Sequence, residues 1–161
     1  MPTELSVITP AQPKDLQRLG PLACQFYAAS KFLRAFDMER FESLWKGLLE
    51  SGNGVIYVLE SNGEITGVIG GVLHPEAYSG ELIAQEFFWY VDEKRRGHGI
   101  RLYRCLENWA RIKGCMELRM AHLSDSMPEK VADFYRRVGY EKVETLYAKR
   151  LDEVAELRRA G

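Results

Sequence analysis

The sequence predicts an α/β domain with a mixed sheet, in the order β-αα-βββ-α-β-α-β. A β-branched and aromatic run at residues 55–59 leads into Asn62-Gly63, a strong signal of an antiparallel hairpin. After residue 82, apolar strand-like runs alternate with segments of helical period, which is the pattern of βαβ crossovers. A sheet that contains both kinds of connection has both parallel and antiparallel strands.

The N-terminal third supplies one short strand and two helices. Residues 5–8 form the opening strand, and apolar side chains at helical spacing over residues 16–26 predict the first helix. Residues 30–36 have no clear period and are interpreted as a loop. Asp37 is a suitable N-cap for the second helix, which ends at the Ser-Gly-Asn-Gly sequence of residues 51–54.

The middle of the chain is rich in strand signals. The run at 55–59 is the first strand of the hairpin, and residues 65–73, interrupted by glycines that indicate gaps or bulges, are the return strand. Residues 74–80 form a loop. Residues 82–91 are apolar on both faces, which predicts a strand inside the sheet rather than at its edge.

The C-terminal part alternates helix and strand. Residues 100–112 carry an apolar stripe and end before Gly114, and residues 117–123 read as a strand. A helix begins at Pro128 and runs to about Val138 before Gly139 ends it. Residues 143–151 are predicted to form a last strand, and residues 152–159 a short terminal helix.

Bulk composition excludes several classes of function. At 161 residues the chain is expected to be a single domain, residues 1–161. A net charge of −1 supplies no global attraction for nucleic acid or an anionic membrane, so neither is an expected partner. The odd number of cysteines and the absence of a signal-peptide pattern favour reduced thiols and a cytoplasmic location. No histidine and cysteine spacing resembles a metal site, so no metal is expected.

A basic turn at residues 92–101 joins the strand at 82–91 to the helix that follows. Its centre reads Lys94-Arg95-Arg96-Gly97-His98-Gly99. The first N–H groups of a helix have no intrahelical partner and bind anions readily. Gly97 and Gly99 permit positive φ angles and a close approach of the backbone to a ligand. The turn therefore predicts an anion site, and a pyrophosphate is the anion that we expect there.

Three phosphate-binding motifs compete for this turn. A dinucleotide fingerprint needs Gly-x-Gly-x-x-Gly with an acidic residue about twenty positions on; Glu117 fits that offset, but Leu102 replaces the third glycine. A P-loop needs Gly-Lys-Ser/Thr, which is absent. The third motif fits best. Residues 96–101 resemble the pyrophosphate signature of the GCN5-related N-acetyltransferase (GNAT) family, Gln/Arg-x-x-Gly-x-Gly/Ala, except that Arg101 replaces a small residue.

A second signature strengthens the resemblance. Residues 132–140, with Phe134-Tyr135 followed by Gly139-Tyr140, are similar to the family's aromatic-Tyr-x-x-x-Gly-Phe/Tyr sequence. The predicted order of elements is also similar to that of the family over residues 5–151. The resemblance implies a mostly antiparallel central sheet with helices on both faces. It also implies transfer of an acetyl group from acetyl-CoA to a primary amine, by direct attack in a ternary complex. The alternative is a non-catalytic acyl-CoA-binding sensor or regulatory module.

The resemblance places acetyl-CoA along the strand end and the basic turn. The pantetheine amides are expected to pair with the backbone at Tyr90 and Val91, with the N–H near Val91 as the oxyanion donor. The expected pyrophosphate contacts are Arg96, Gly97, His98, Gly99, Ile100 and Arg101. The Arg101 side chain must either point away from the phosphates or contact them from the side.

Two residues are candidates for the proton transfers of the reaction. Glu86 lies in an apolar strand where burial would raise its pKa, and strand alternation predicts that it shares a face with Phe88 and Tyr90. It is the candidate base, and the alternative is a solvated or arginine-paired acid. Tyr135 falls at the family's tyrosine position and is the candidate acid for the thiolate; the alternative is core packing on its helical stripe.

The acceptor and the assembly are less defined. The resemblance places the acceptor, a small-molecule or peptide amine, against an aromatic and apolar set that weakly disfavours a polycation: Phe26, Tyr27, Phe32, Leu33, Phe36 and Tyr78. The family usually ends with two strands after the last helix, but only about twenty residues remain here. The second strand is therefore either missing or supplied by the partner in a homodimer.

Overall fold

One five-stranded sheet organises the described part of the chain, which in this computed structural model comprises residues 5–30, 35–121 and 128–151. The strands lie in sequence order: β1 (Ser6–Pro10), β2 (Gly54–Ser61), β3 (Glu64–Pro75), β4 (Leu82–Val91) and β5 (Glu117–Arg119). The first four pair antiparallel, and β5 pairs parallel to β4. This confirms the predicted mixed, mostly antiparallel sheet.

In the described residues, four α-helices accompany the sheet: α1 (Leu16–Ala29), α2 (Met38–Ser51), α3 (Gly99–Ile112) and α4 (Pro128–Arg137). None of these helices is long and apolar enough to cross a membrane. Residues 31–34 of the predicted loop at 30–36, the strand end at 122–123 and the terminal helix at 152–159 lie outside the described residues.

Local signals in the sequence set several element boundaries. The Asp37 carboxylate accepts a hydrogen bond from the Arg40 N–H at 3.0 Å, which caps α2, and Gly52 ends that helix with a φ of 74°. Asn62 and Gly63 have φ angles of 53° and 81°, so both central residues of the β2–β3 hairpin are left-handed, as a type I′ turn requires.

The core has two halves, one on each face of the sheet. On one face, α3 packs Leu102 and Leu106 against strand residues that include Leu59, Ile69 and Ala84. On the other face, α1 and α2 pack Leu16, Leu19 and Trp45 against Ile56 and Val68. The strand residues of the two halves alternate along β2 and β3, as expected for a sheet covered on both sides. Helices on both faces are therefore confirmed.

A β-bulge in β4 changes which side chains share a face. Gly71 pairs with Glu86 and Gly70 pairs with Phe88, so Phe87 is an extra residue on β4. A Cβ atom at Gly70 would collide with the Phe88 ring, so the glycine leaves room for this irregularity. Before the bulge, the alternation from Ala84 puts Glu86 on the α3 face; after it, Phe88 packs on the α1–α2 face. The prediction that Glu86 shares a face with Phe88 and Tyr90 is therefore wrong, because one inserted residue shifts the alternation.

The second half of β4 has an open edge. Pairing between β4 and β5 covers only Ile83–Gln85 and Glu117–Arg119. Beyond Gln85, that edge of β4 faces no strand in the part of the chain that the structure describes. The inside position predicted for residues 82–91 therefore holds for the first half of the strand, while the second half leaves backbone groups available to a ligand.

The predicted last strand at 143–151 is wrong, because residues 141–151 form no strand. Its apolar side chains are largely exposed: Val143 77%, Leu146 84%, Tyr147 94% and Leu151 90%. A segment with strand propensity still needs a partner for its backbone groups. None of the five strands in the described part of the chain pairs with residues 141–151.

Candidate active site

Glu86 and Tyr135, predicted from distant parts of the sequence, both hydrogen-bond the backbone of Ala121. The Glu86 carboxylate accepts a hydrogen bond from the Ala121 N–H at 3.1 Å, and the Tyr135 hydroxyl donates to the Ala121 carbonyl at 2.6 Å. Glu86 is 6% exposed and Tyr135 is 8% exposed. The segment after β5 thus connects β4 to α4 at the point where β4 loses its strand partner.

Burial gives Glu86 an unusual affinity for a proton. Removal from solvent raises its pKa from 4.5 to about 7, against the opposing effect of the Ala121 N–H. Among the described side chains, no lysine or arginine forms a salt bridge with Glu86. A carboxyl that titrates near neutral pH is suited to accept a proton during a reaction.

Tyr135 keeps its proton at neutral pH. Burial raises the pKa of its hydroxyl, and the neighbouring Glu86 charge raises it further. The ring also packs against Tyr140 at 5.4 Å and Phe134 at 6.0 Å between centroids, so Tyr135 contributes to packing as well. To donate to a ligand, the hydroxyl would have to turn from the Ala121 carbonyl. The sequence did not predict that Ala121 belongs to the site, because its role depends only on its backbone.

The basic turn is helical rather than an open loop. Glu93–His98 form a 3₁₀ helix that leads directly into α3, and Asp92 begins it by accepting from the backbone N–H groups of Lys94 and Arg95. Gly97 and Gly99 do not use the positive φ that glycine permits, because a right-handed helical turn needs negative φ at both. The side chain of Arg96 lies outside the described residues.

Space around the two glycines differs. A Cβ atom at Gly97 would meet nothing within 4 Å, so this side of the turn is open to a ligand. A Cβ at Gly99 would lie 3.4 Å from Trp89 and Val91, in ordinary contact. The Trp89 indole N–H beside it is buried and has no hydrogen-bond partner in the described part of the chain. Its place beside the turn was not predicted.

Arg101 is directed at β1. Its guanidinium donates to the Ser6 hydroxyl at 2.6 Å and to the Ser6 carbonyl at 3.2 Å. The Ser6 hydroxyl also lies 3.3 Å from Nδ1 of His98, so the His98 ring takes part in contacts that its sequence position did not indicate. Ile100, between them, is 44% exposed.

The open edge of β4 carries a suitably oriented backbone donor. Tyr90 and Val91 pair with Val68 and Gly67 of β3, and the Asp92 N–H donates to Thr66 on the same side at 2.8 Å. Because neighbouring residues of a strand send their N–H groups to opposite edges, the Val91 N–H faces away from β3, toward the open edge.

Aromatic rings line the other face of β4. Phe26 of α1 lies 6.3 Å from Phe88 and 6.5 Å from Tyr90 between ring centroids, and Tyr27 lies 5.8 Å from Phe36. The structure therefore brings together three of the residues expected at the acceptor: Phe26, Tyr27 and Phe36. Tyr78 is 98% exposed in the β3–β4 loop, and Phe32 and Leu33 lie outside the described residues.

Comparison with known proteins identifies the family. The model of the Acetyltransferase (GNAT) family matches residues 22–140, most of the chain. The chain belongs to the GNAT family. As a GNAT protein it is 27% identical over 141 residues to the uncharacterized N-acetyltransferase YhfO of Bacillus subtilis (strain 168), covering 84% of this chain and 89% of YhfO.

Solved structures share the GNAT fold. A predicted acetyltransferase with acetyl-CoA from Clostridium acetobutylicum superposes with a TM-score of 0.74 at 16% identity, over 91% of this chain and 97% of that one. Glucosamine-6-phosphate N-acetyltransferase from Arabidopsis thaliana superposes with a TM-score of 0.69 at 18% identity, over 92% and 100%. The predicted family and fold class are thereby confirmed. In the described residues, no group of three His, Cys, Asp or Glu side chains could hold a metal ion.

Proposed function

We propose that this GNAT protein transfers the acetyl group of acetyl-CoA to a primary amine, by direct attack in a ternary complex. One observation carries the proposal. Glu86, a buried carboxyl with a pKa of about 7, and the Tyr135 hydroxyl both hydrogen-bond the backbone of Ala121, where the edge of β4 becomes open. Membership of an acetyltransferase family supports the reaction type.

Glu86 supplies the base. An alkylammonium ion has a pKa near ~10 and must lose a proton before its nitrogen can attack. Glu86 lies on the α3 face of β4, opposite the aromatic rings of the α1–α2 face. A water molecule therefore carries the proton from the amine to the Glu86 carboxylate around the edge of the strand.

The remaining groups stabilise charge as the bonds exchange. The neutral amine nitrogen forms a bond to the acetyl carbon, and the Val91 N–H at the open edge binds the resulting oxyanion. The carbon–sulfur bond then breaks, and the Tyr135 hydroxyl donates a proton to the departing thiolate. The second proton of the attacking nitrogen passes through water to the Tyr135 phenolate, and Glu86 releases the first proton to solvent. The products are an N-acetyl amide and free CoA.

The basic turn holds the phosphates of acetyl-CoA. The open side of Gly97 lets a phosphate approach the backbone next to the point where the 3₁₀ helix meets α3. Lys94 and Arg104 are exposed and add positive charge nearby. No metal takes part in this scheme.

The acceptor is a small-molecule or peptide amine with an apolar portion. Support comes from the aromatic rings of Phe26, Tyr27 and Phe36, which provide contact area for an apolar group. These side chains carry no carboxylate that could bind a polycation. One of the named relatives is a glucosamine-6-phosphate N-acetyltransferase, and this supports a small amine as the acceptor.

The protein acts as a homodimer in this proposal. Residues 141–151 present Val143, Leu146, Tyr147 and Leu151 almost fully to solvent. A second copy, which carries the same exposed segment, is the occupant that covers these side chains.

A thiol-release assay over a panel of amines and peptides tests the proposed reaction. Wild-type protein should release free CoA only when both acetyl-CoA and a suitable amine are present. Glu86→Gln should lower the rate about 100-fold without changing acetyl-CoA affinity, since general-base catalysis typically contributes 10²–10⁴. Glu50→Gln, at an exposed position on α2, is the matched control and should behave as the wild type. Binding of acetyl-CoA without release for any amine would instead indicate a sensor.

A further inference from the structure

The hydroxyl of Ser6 joins the N-terminal strand to the end of the basic turn. It lies 2.6 Å from the Arg101 guanidinium and 3.3 Å from His98 Nδ1, and the Ser6 carbonyl accepts a second bond from Arg101 at 3.2 Å. These contacts connect residues more than ninety positions apart in the sequence. They tie β1 to both the last residue of the 3₁₀ helix and the first turn of α3.

The chemistry of the groups fixes the direction of the bond between Ser6 and Arg101. A guanidinium has only donors, so the Ser6 oxygen accepts from Arg101. A hydroxyl has one proton and two acceptor positions, so the same oxygen can also hydrogen-bond His98 Nδ1, with the direction set by the imidazole tautomer. Ser6 therefore contacts Arg101 and His98 at the same time.

The other end of the basic turn is also tied to the sheet. The Asp92 N–H donates to the Thr66 carbonyl of β3 at 2.8 Å. Asp92 also accepts from Lys94 through its carboxylate. With Ser6 at one end and Thr66 at the other, the sheet holds the turn at both ends.

Helix electrostatics do not explain Arg101. A cation in the first turn of a helix opposes the helix dipole, and α3 has no acidic residue there to offset it. The side chain extends to β1 instead, which leaves the start of α3 free of it. Ser6 thus accommodates an arginine at the position where the family signature has a small residue.

We propose that Ser6 is a positioning residue for acetyl-CoA, acting through Arg101 and His98 to fix the turn that binds the pyrophosphate. This inference rests on the proposed use of acetyl-CoA. Arg101 acts in it by anchoring the turn to β1, with no direct contact to phosphate.

A double-mutant cycle on acetyl-CoA affinity, measured by isothermal titration calorimetry, tests the inference. Ser6→Ala should weaken binding about fivefold, the usual effect of one hydrogen bond. Arg101→Ala should weaken it at least as much, because it also removes the bond to the Ser6 carbonyl. The double variant should be no weaker than Arg101→Ala alone, since that variant already lacks the link between Arg101 and the Ser6 hydroxyl. Ser6→Thr keeps the hydroxyl and should restore wild-type affinity. Thr9→Ala, at an exposed position on β1, is the matched control and should have no effect.

Steady-state kinetics and salt dependence separate positioning from other roles. Ser6→Ala should raise the KM for acetyl-CoA while leaving kcat and the KM for the amine unchanged, and its affinity should keep the wild-type salt dependence. Three results would overturn the positioning role. The first is wild-type affinity in Ser6→Ala, and the second is additive losses in the double variant. The third is a reduced salt dependence confined to Arg101→Ala. If calorimetry detects no binding of acetyl-CoA to the wild-type protein, the proposed function itself is overturned. The titration of the wild type therefore separates failure of the proposed function from failure of the positioning role.

Discussion

Replacing Glu86 with glutamine should stabilise the fold while it removes activity. Burial raises the Glu86 pKa from 4.5 to about 7, so between these pH values the folded protein holds a proton that the unfolded chain has lost. The unfolded state then binds fewer protons than the folded state, and stability falls as the pH rises through this window. Glutamine keeps an oxygen to accept the Ala121 N–H and carries no charge at any pH.

The size of the effect follows from the pKa difference. Each pH unit across the window removes about 1.36 kcal/mol from the free energy of unfolding, and the full cost above pH 7 is about 3 kcal/mol. At pH 5 less than about 1 kcal/mol of this cost is present. The stability of Glu86→Gln relative to wild type should therefore increase by about 2.5 kcal/mol between pH 5 and pH 8.

Urea unfolding at pH 5 and pH 8 measures this difference directly. Three proteins are needed: wild type, Glu86→Gln and the exposed control Glu50→Gln. The control should follow the wild type at both pH values. If the gap between Glu86→Gln and wild type is the same at pH 5 and pH 8, Glu86 does not titrate as a buried carboxyl, and the basis for its role as base is refuted.

Three further predictions concern other parts of the protein. Gly97→Ala should leave thermal stability equal to or above that of the wild type, because its Cβ meets nothing within 4 Å, yet weaken acetyl-CoA binding about tenfold in calorimetry by blocking phosphate approach. Gly47→Ala, also with open space around its Cβ, is the control, and equal affinities in the two variants would contradict a phosphate site there. Tyr135→Phe should lower kcat in the thiol-release assay with little change in acetyl-CoA affinity; an unchanged kcat would limit Tyr135 to packing. Leu146→Lys should shift sedimentation from dimer to monomer, and a monomeric wild type would contradict the proposed assembly.

Short-range signals in the sequence were reliable guides to the fold. Asp37 caps α2, Asn62-Gly63 turns the first hairpin, and β4 spans the predicted residues 82–91. Each of these features depends on conformational preferences of a few neighbouring residues. They are therefore readable without knowledge of the tertiary structure.

Features that depend on distant partners could not be predicted. The bulge at Phe87 depends on the pairing of β4 with the glycines of β3, and it puts Phe88 on the face opposite to Glu86. The segment at 143–151 has strand propensity, but none of the strands in the described residues pairs with it. Positive φ at Gly97 is permitted by its residue type, but the helical turn does not use it.

The candidate site shows the same division. Glu86 and Tyr135 were predicted from the burial pattern and the family resemblance. The backbone N–H and carbonyl of Ala121, which they contact, have no signal in the sequence. The contact between Ser6 and Arg101 likewise appears only once β1 and α3 are placed together. Residue type identifies which groups have suitable chemistry, and the tertiary structure determines which of them meet.

Amine-dependent release of CoA thiol as a function of pH tests the proposed reaction most directly. Wild-type protein should give a rate that requires the amine, falls about tenfold per pH unit below pH 7 and levels off above it, as ionisation of Glu86 dictates. Glu86→Gln should lose both the rate and this acidic limb. Acetyl-CoA binding without amine-dependent thiol release, or an unchanged pH profile in Glu86→Gln, would contradict the proposed mechanism.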